Sequence, residues 1–221
     1  MYVGHYVSSL ALKSYDKNIS LGWLFIGAQF VDILFFPFVM MGIERMNIVV
    51  GFTATNHLDL EYMPYTHSLL ATAFWAFLGY VVFAHFLKMG KRSGIAMALA
   101  IASHWFVDLI VHTPDLPLWT DSSPKLGFGI WNYRELAFGL EVLFLFGGLY
   151  IYMQAVKPTN KVGKYGMIGY AVFLLALHGS QVYGPPAASD KTTLAIVAVV
   201  TYLAFGGIAH WLDKKAMSKI E

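Results

Sequence analysis

The stretch Ser103-His104-Trp105-Phe106-Val107-Asp108-Leu109-Ile110-Val111-His112-Thr113-Pro114-Asp115 decides how this chain is read. Its background is that of a helix sunk in hydrocarbon, yet His104, Asp108 and His112 recur at intervals of four. At about 3.6 residues per turn these three share nearly one helix face, one turn apart. An ionisable group at membrane depth is costly, so it ordinarily faces the bundle interior or a wet cavity. Two readings of the ladder stand side by side. It supplies ligands to a metal, or it is a buried polar network that pins helices by interhelical hydrogen bonds.

The rest of the chain agrees with the membrane setting. Of 221 residues, 57% are hydrophobic and 13% charged, against about 45–50% and about 25% in soluble domains. Tyr165 to Ser189 and Thr192 to Leu212 contain no Asp, Glu, Lys or Arg. Each is long enough to cross a hydrocarbon core of roughly 30 Å. A net charge of +2 with no basic patch among aromatics excludes a nucleic-acid partner. Zero cysteines exclude disulfides, thiolate ligands and a thiol nucleophile. Met1 to Leu12 lacks the basic start and cleavable apolar run of a signal peptide, so the first span is expected to direct insertion.

Six spans are expected: Leu21–Met41, Thr66–Leu87, Gly94–His112, Tyr133–Ala155, Lys164–Tyr183 and Thr192–Leu212. The predicted fold is all-α, a polytopic membrane bundle of about six transmembrane helices plus a short N-terminal helix, forming one integral membrane domain over residues 1–221. Tyr2–Leu12 either lies in the interface or folds back into the bundle with His5. Lysines and arginines alternate across the loops. Lys13, Lys17, Lys88, Lys91, Arg92, Lys157, Lys161, Lys164, Lys214, Lys215 and Lys219 fall on one side, leaving Arg45, Lys125, Arg134 and Lys191 on the other. The positive-inside rule then predicts a multi-pass protein of the inner (plasma) membrane with both termini cytoplasmic. Gly42 to Tyr65 reads as an extramembranous loop and Thr113 to Asn132 as an irregular external cap.

Further polar groups sit at matching depth. Asp32, near the middle of the first span, needs a cation or a proton, and no Lys or Arg is expected at that depth. A cavity opening externally would collect His67, His104, Asp108, His112 and Glu141, with His178 beside them and Asp32 as floor. His85 and His210 read as interface residues. Nitrogen and oxygen donors without thiolate suit a divalent transition metal, Zn first, with Mn or Fe as alternatives. Glu141 or Asp115 would then move the proton of a metal-activated water. No Gly-x-Ser-x-Gly turn, phosphate loop or dinucleotide fingerprint is present, which leaves metal-assisted hydrolysis as the main enzymatic option.

Gly4-His5 with Ala11, Leu24-Phe25-Ile26-Gly27-Ala28-Gln29-Phe30-Val31-Asp32, Thr66-His67-Ser68-Leu69-Leu70 and Ser103-His104-Trp105-Phe106-Val107-Asp108 together resemble the bacterial membrane-bound metal-dependent hydrolases, the YdjM-like proteins. The motif order is also similar to that of zinc-dependent phospholipase C. The likeness covers roughly the first half of the chain. It implies a multi-span fold and a metal set of His5, Asp32, His67 and the His104–Asp108 pair, to which the ladder itself adds His112 as an auxiliary donor. It further implies that Tyr2–Leu12 folds back toward the bundle. This chain departs from the family at Val31-Asp32-Ile33-Leu34, where Pro-Asp-x-Asp is common, so a second aspartate ligand is missing.

The expected function is that of a membrane-embedded metal-dependent hydrolase acting on phosphoester or lipid-linked substrates, with membrane lipids and a small-molecule or lipid-like substrate as partners. The alternatives are a proton- or cation-coupled transporter or channel, a non-catalytic membrane structural protein, and a haem protein with axial histidines.

Overall fold

The computed structural model describes residues 2–185 and 190–218. Met1, the end of the charge-free stretch at 186–189, and Lys219 with its two successors lie outside the described residues.

Helix starts follow side-chain chemistry. α1 (Tyr6–Tyr15) continues from a 3-10 turn at Val3–His5. α2 (Leu21–Ala28) is capped by Ser20, whose hydroxyl accepts the Trp23 N–H at 3.3 Å. α3 (Phe30–Met40) follows directly, and β1 (Arg45–Ile48) pairs antiparallel with β2 (Leu58–Tyr62). Ser68 caps α4 (Leu69–Val81), which runs into a π turn at Val82–Phe86. A left-handed Lys88 (φ 54°) and Gly90 (φ 88°) turn the chain into α5 (Gly90–Val111). Short strands β3 (Leu116–Pro117) and β4 (Lys125–Leu126) lie in the otherwise irregular loop before α6 (Arg134–Val156). Asn160 and Asp190 cap α7 (Lys161–Tyr183) and α8 (Lys191–Met217) with bonds of 2.7 and 2.8 Å. Each such cap satisfies an N–H that the first helical turn leaves without a partner.

The architecture is a helix bundle, as expected, but the span count differs. Among the described residues, α4 with its π turn, α5, α6 and α8 are each long and apolar enough to cross a membrane, making four. The expected first span is instead two helices bent by 50° at Gln29, and counting that pair gives five. The bend has local causes. Gln29 leaves helical geometry (φ −105°, ψ 11°) and gives its side-chain N–H to the Tyr2 carbonyl at 3.0 Å. Pro37 also removes a ladder N–H within α3. The expected fifth span, α7, has 23 residues but is not among those apolar enough. Its glycines, three tyrosines, His178, Ser180 and Gln181 dilute its hydrophobicity.

α1 does fold back. Val3, Tyr6 and Leu10 are fully buried against Phe25 on α2, Leu145 and Leu149 on α6, and Phe205 on α8. Close approach depends on small residues: a Cβ on Gly148 would lie 2.9 Å from Val7 Cα, and one on Gly22 would lie 2.5 Å from the Gly206 carbonyl. A second core joins Leu24 and Val31 to Met97, Ala100 and Ile101 of α5. A third packs Phe35 and Phe36 of α3 against Trp105, Leu116 and Tyr202. Trp105 is therefore a packing residue.

One residue departs from its expected place. Lys13, read as part of a loop, is 1% exposed. Its Nζ lies 2.8 Å from Asp213 Oδ2 and donates to the Lys17 and Ile19 carbonyls at 3.0 and 2.7 Å. Asp213 also accepts the Leu21 N–H and the Tyr152 hydroxyl, each at 3.0 Å. This knot ties α1, α2, α6 and α8 together at the end of the bundle away from Tyr2.

Candidate metal centre

Four separate pieces of chain deliver one cluster. The turn before α1 brings His5, the first turn of α3 brings Asp32, the residue before the Ser68 cap is His67, and α5 brings the ladder. His5 Nε2 lies 3.1 Å from Asp108 Oδ1, and His104 Nε2 lies 2.9 Å from Asp108 Oδ2. Asp32 Oδ1 is 3.2 Å from His67 Nε2 and 3.7 Å from His104 Nε2. His112 Nε2 reaches Asp108 Oδ2 at 3.4 Å. Two groups meet the spacing of a metal site, His5–His104–Asp108 and Asp32–His67–His104, with donor atoms within 4.8 Å of one another. Every member but Asp32 is fully buried, and Asp32 is partly so. The expected set of His5, Asp32, His67, His104, Asp108 and His112 is thus brought to one place.

Tautomers sharpen the picture. His104 Nδ1 lies 2.6 Å from the Ala28 carbonyl, which can only accept, so Nδ1 carries the proton. That carbonyl ends α2, and the break at Gln29 leaves it available. His112 Nδ1 faces Asp115 Oδ1 at 2.8 Å and is protonated for the same reason. Thr66 Oγ1 donates to Glu44 Oε2 at 2.7 Å and therefore accepts from His67 Nδ1, also at 2.7 Å. The Nε2 of each ring then points at carboxylate oxygens. Lone pair facing lone pair is repulsive unless a proton or a metal lies between. Among the described residues, His104 Nε2 has no partner of hydrogen-bond geometry, and neither does either nitrogen of His5. The His5 and His104 rings stack at 3.8 Å and 7°, so charging both imidazoles would place like charges face to face.

Glu44 is the residue that the sequence did not reveal. It is 1% exposed and accepts the Tyr65 and Thr66 N–H groups at 2.8 and 3.0 Å besides the Thr66 hydroxyl. Burial raises its pKa, while the nearby His67 and these hydrogen bonds pull the other way. In the sequence it is one acid in a polar loop, with no periodicity to mark it.

The two expected proton-transfer groups are both engaged. Asp115 holds His112 and accepts the Thr113 hydroxyl at 2.9 Å. Glu141, on α6, accepts the Tyr2 N–H at 3.1 Å and the Gly4 N–H at 3.0 Å, anchoring the segment that carries His5. His178 lies alongside, its Nε2 3.6 Å from Glu141 Oε1. His85 packs on Tyr80, and His210 borders a shallow depression at the Lys13 end, so neither joins the cluster.

A cavity of about 220 Å³ opens over the centre. Asp32, His67, Asp108, His112, Glu141 and His178 form its polar part. Phe35, Phe36, Leu60, Leu194, Val197 and Ala198 make an apolar wall, and residues Thr55–Leu58 of the hairpin border it. No protein-family model, curated protein or solved structure matches the chain.

Proposed function

We propose that this chain is a membrane-embedded metal-dependent hydrolase whose substrate is an amphipathic phosphoester, such as a lipid-linked one. The observation that supports it most is the convergence of the His5, His67 and His104 Nε2 atoms on Asp32 and Asp108 at the spacing of a metal site. Only nitrogen and oxygen donors are present, which fits Zn, Mn or Fe.

His5, His104 and Asp108 would hold one ion, or Asp32, His67 and His104 an overlapping one, with His112 as a further donor. Bound there, the metal would supply Lewis acidity and a water that deprotonates near neutral pH. The chain's own groups do the rest. Glu44 through Thr66, the Ala28 carbonyl and Asp115 fix the ring orientation of His67, His104 and His112, the usual task of partners behind metal ligands. The apolar wall from α3 and α8 excludes water and accepts an acyl or prenyl part of the substrate.

In this reading the bent α2–α3 pair, α4, α5, α6, α7 and α8 cross the inner membrane, and the lysine-rich loops and the C-terminal end of α8 are cytoplasmic. Tyr2, beside Glu141, then lies in the outer half of the bundle, at the start of the segment that leads into α1, and not on the cytoplasmic side.

Elemental analysis of the purified protein in detergent tests the proposal. Wild type should carry about one or more equivalents of a transition metal, and His104→Ala and Asp108→Asn should lose it. Wild-type metal content in both variants would remove the reading. A second reading, a cation path, draws on the broken span at Gln29, since interrupted helices often line ion sites. Cation flux in reconstituted vesicles, from protein that purifies without metal, would favour it instead.

A further inference from the structure

The histidine on α7 stands apart from the rest of the site. His178 is 6% exposed, yet among the described residues neither Nδ1 nor Nε2 has a hydrogen-bond partner. Leaving two polar atoms of a buried ring unsatisfied is costly, and a native fold tolerates it mainly where a ligand or a reaction uses them. The ring is held without its nitrogens. Phe138 of α6 stacks on it at 5.6 Å and 8°, and Tyr2 at 6.0 Å and 28°. Glu141 is the carboxylate that faces it, at 3.6 Å from Nε2, and Gln181 is its polar neighbour along the cavity wall. Both His178 and Glu141 line the cavity that Asp32, His67, Asp108 and His112 also line. One short segment joins the two parts, because Tyr2 and Gly4 bind Glu141 while His5 meets Asp108.

We propose that His178 is a catalytic residue of this site, the proton donor to the leaving group, with Glu141 balancing the charge of its protonated ring. The assignment rests on the hydrolase reading above. When Nε2 turns to Glu141, Nδ1–H remains for a substrate oxygen. In the step, a water oxygen bonds to phosphorus and the phosphorus–oxygen bond to the alcohol breaks. The His178 proton goes to the departing alkoxide, giving the alcohol. The water's own proton leaves to solvent, and an equal one from solvent recharges His178, so ester and water become alcohol and acid.

The test compares two probes on metal-loaded, full-length protein in detergent, hexadecyl methyl phosphate and hexadecyl 4-nitrophenyl phosphate. Methoxide needs a proton to leave, whereas 4-nitrophenolate does not. His178→Gln should keep wild-type metal content and slow methyl-ester cleavage by about 100- to 10,000-fold. Nitrophenyl-ester cleavage should change by less than about tenfold, and the loss of methyl-ester activity at high pH should flatten. His178→Asn should behave alike. Equal losses on both esters, no loss on either, or loss of bound metal in both variants would each overturn the assignment and leave the hydrolase reading standing. Metal-loaded wild type that cleaves neither ester would overturn the hydrolase reading, and this assignment with it.

Discussion

The two ends of the bundle handle buried carboxylates in opposite ways. At one end Asp213 meets an ammonium, a tyrosine hydroxyl and a backbone N–H, and the Lys13 Nζ is itself satisfied by two further carbonyls. At the other, Asp32 and Asp108 face the Nε2 atoms of His67 and His104, whose Nδ1 atoms meet the Thr66 hydroxyl and the Ala28 carbonyl. The first end is complete as built and holds four helices together. The second gathers His5, His67, His104, Asp32 and Asp108 at the spacing of a metal site. Burial alone therefore does not mark function; the balance of donors and acceptors does.

The largest effect should come from breaking the complete end. Lys13→Ala leaves a buried carboxylate without its cation and should destabilise the protein by about 3–5 kcal/mol. Thermal unfolding in detergent should show that loss equally with and without chelator. A chelator-dependent change would mean that the two ends are not independent.

Removing metal should act only at the other end. A chelator should lower wild-type stability by about 3–4 kcal/mol if the ion is normally present at 100 to 1,000 times its Kd. Asp108→Asn should show no such response. Acid should mimic the chelator, because the ligand histidines must be unprotonated to bind, so affinity is present at neutral pH and lost as pH falls. A chelator response that survives in Asp108→Asn would place the ion elsewhere.

A smaller effect is expected one layer out. Glu44→Gln or Thr66→Val should weaken metal binding by about 10- to 100-fold while leaving one equivalent bound at saturation. A metal titration followed by competition with a chromogenic chelator measures it. An unchanged affinity would mean that the Glu44–Thr66–His67 chain does not set the His67 tautomer.

The smallest change tests how α1 is held. Gly148→Ala puts a methyl 2.9 Å from Val7 Cα and should cost about 1–3 kcal/mol through forced repacking. Because α1 carries His5 toward Asp108, metal affinity should fall with it, whereas the Lys13–Asp213 contact should tolerate the shift. Unfolding curves and metal titration on the same sample separate the two.

Much of this was legible in the chain. The interval of four through His104, Asp108 and His112 survives in the structure because a helix converts spacing into a shared face. Asp32 and His67 announced themselves as polar groups in or beside apolar runs. Glu44 and Lys13 did not, since a charged residue in a polar segment looks solvated until tertiary packing covers it. The bend at Gln29 was hidden as well, because Gly27, the weak helix former beside it, is tolerated inside a helical pattern.

By itself the sequence determined the helical class, the apolar spans and the ladder on α5, all consequences of local composition and period. Only the tertiary structure decided that α1 enters the bundle, that His5 stacks on His104, and that His104 turns its Nδ1 to the Ala28 carbonyl. The last two join residues 99 and 76 positions apart. No local rule encodes such contacts, because they form only when separate helices meet.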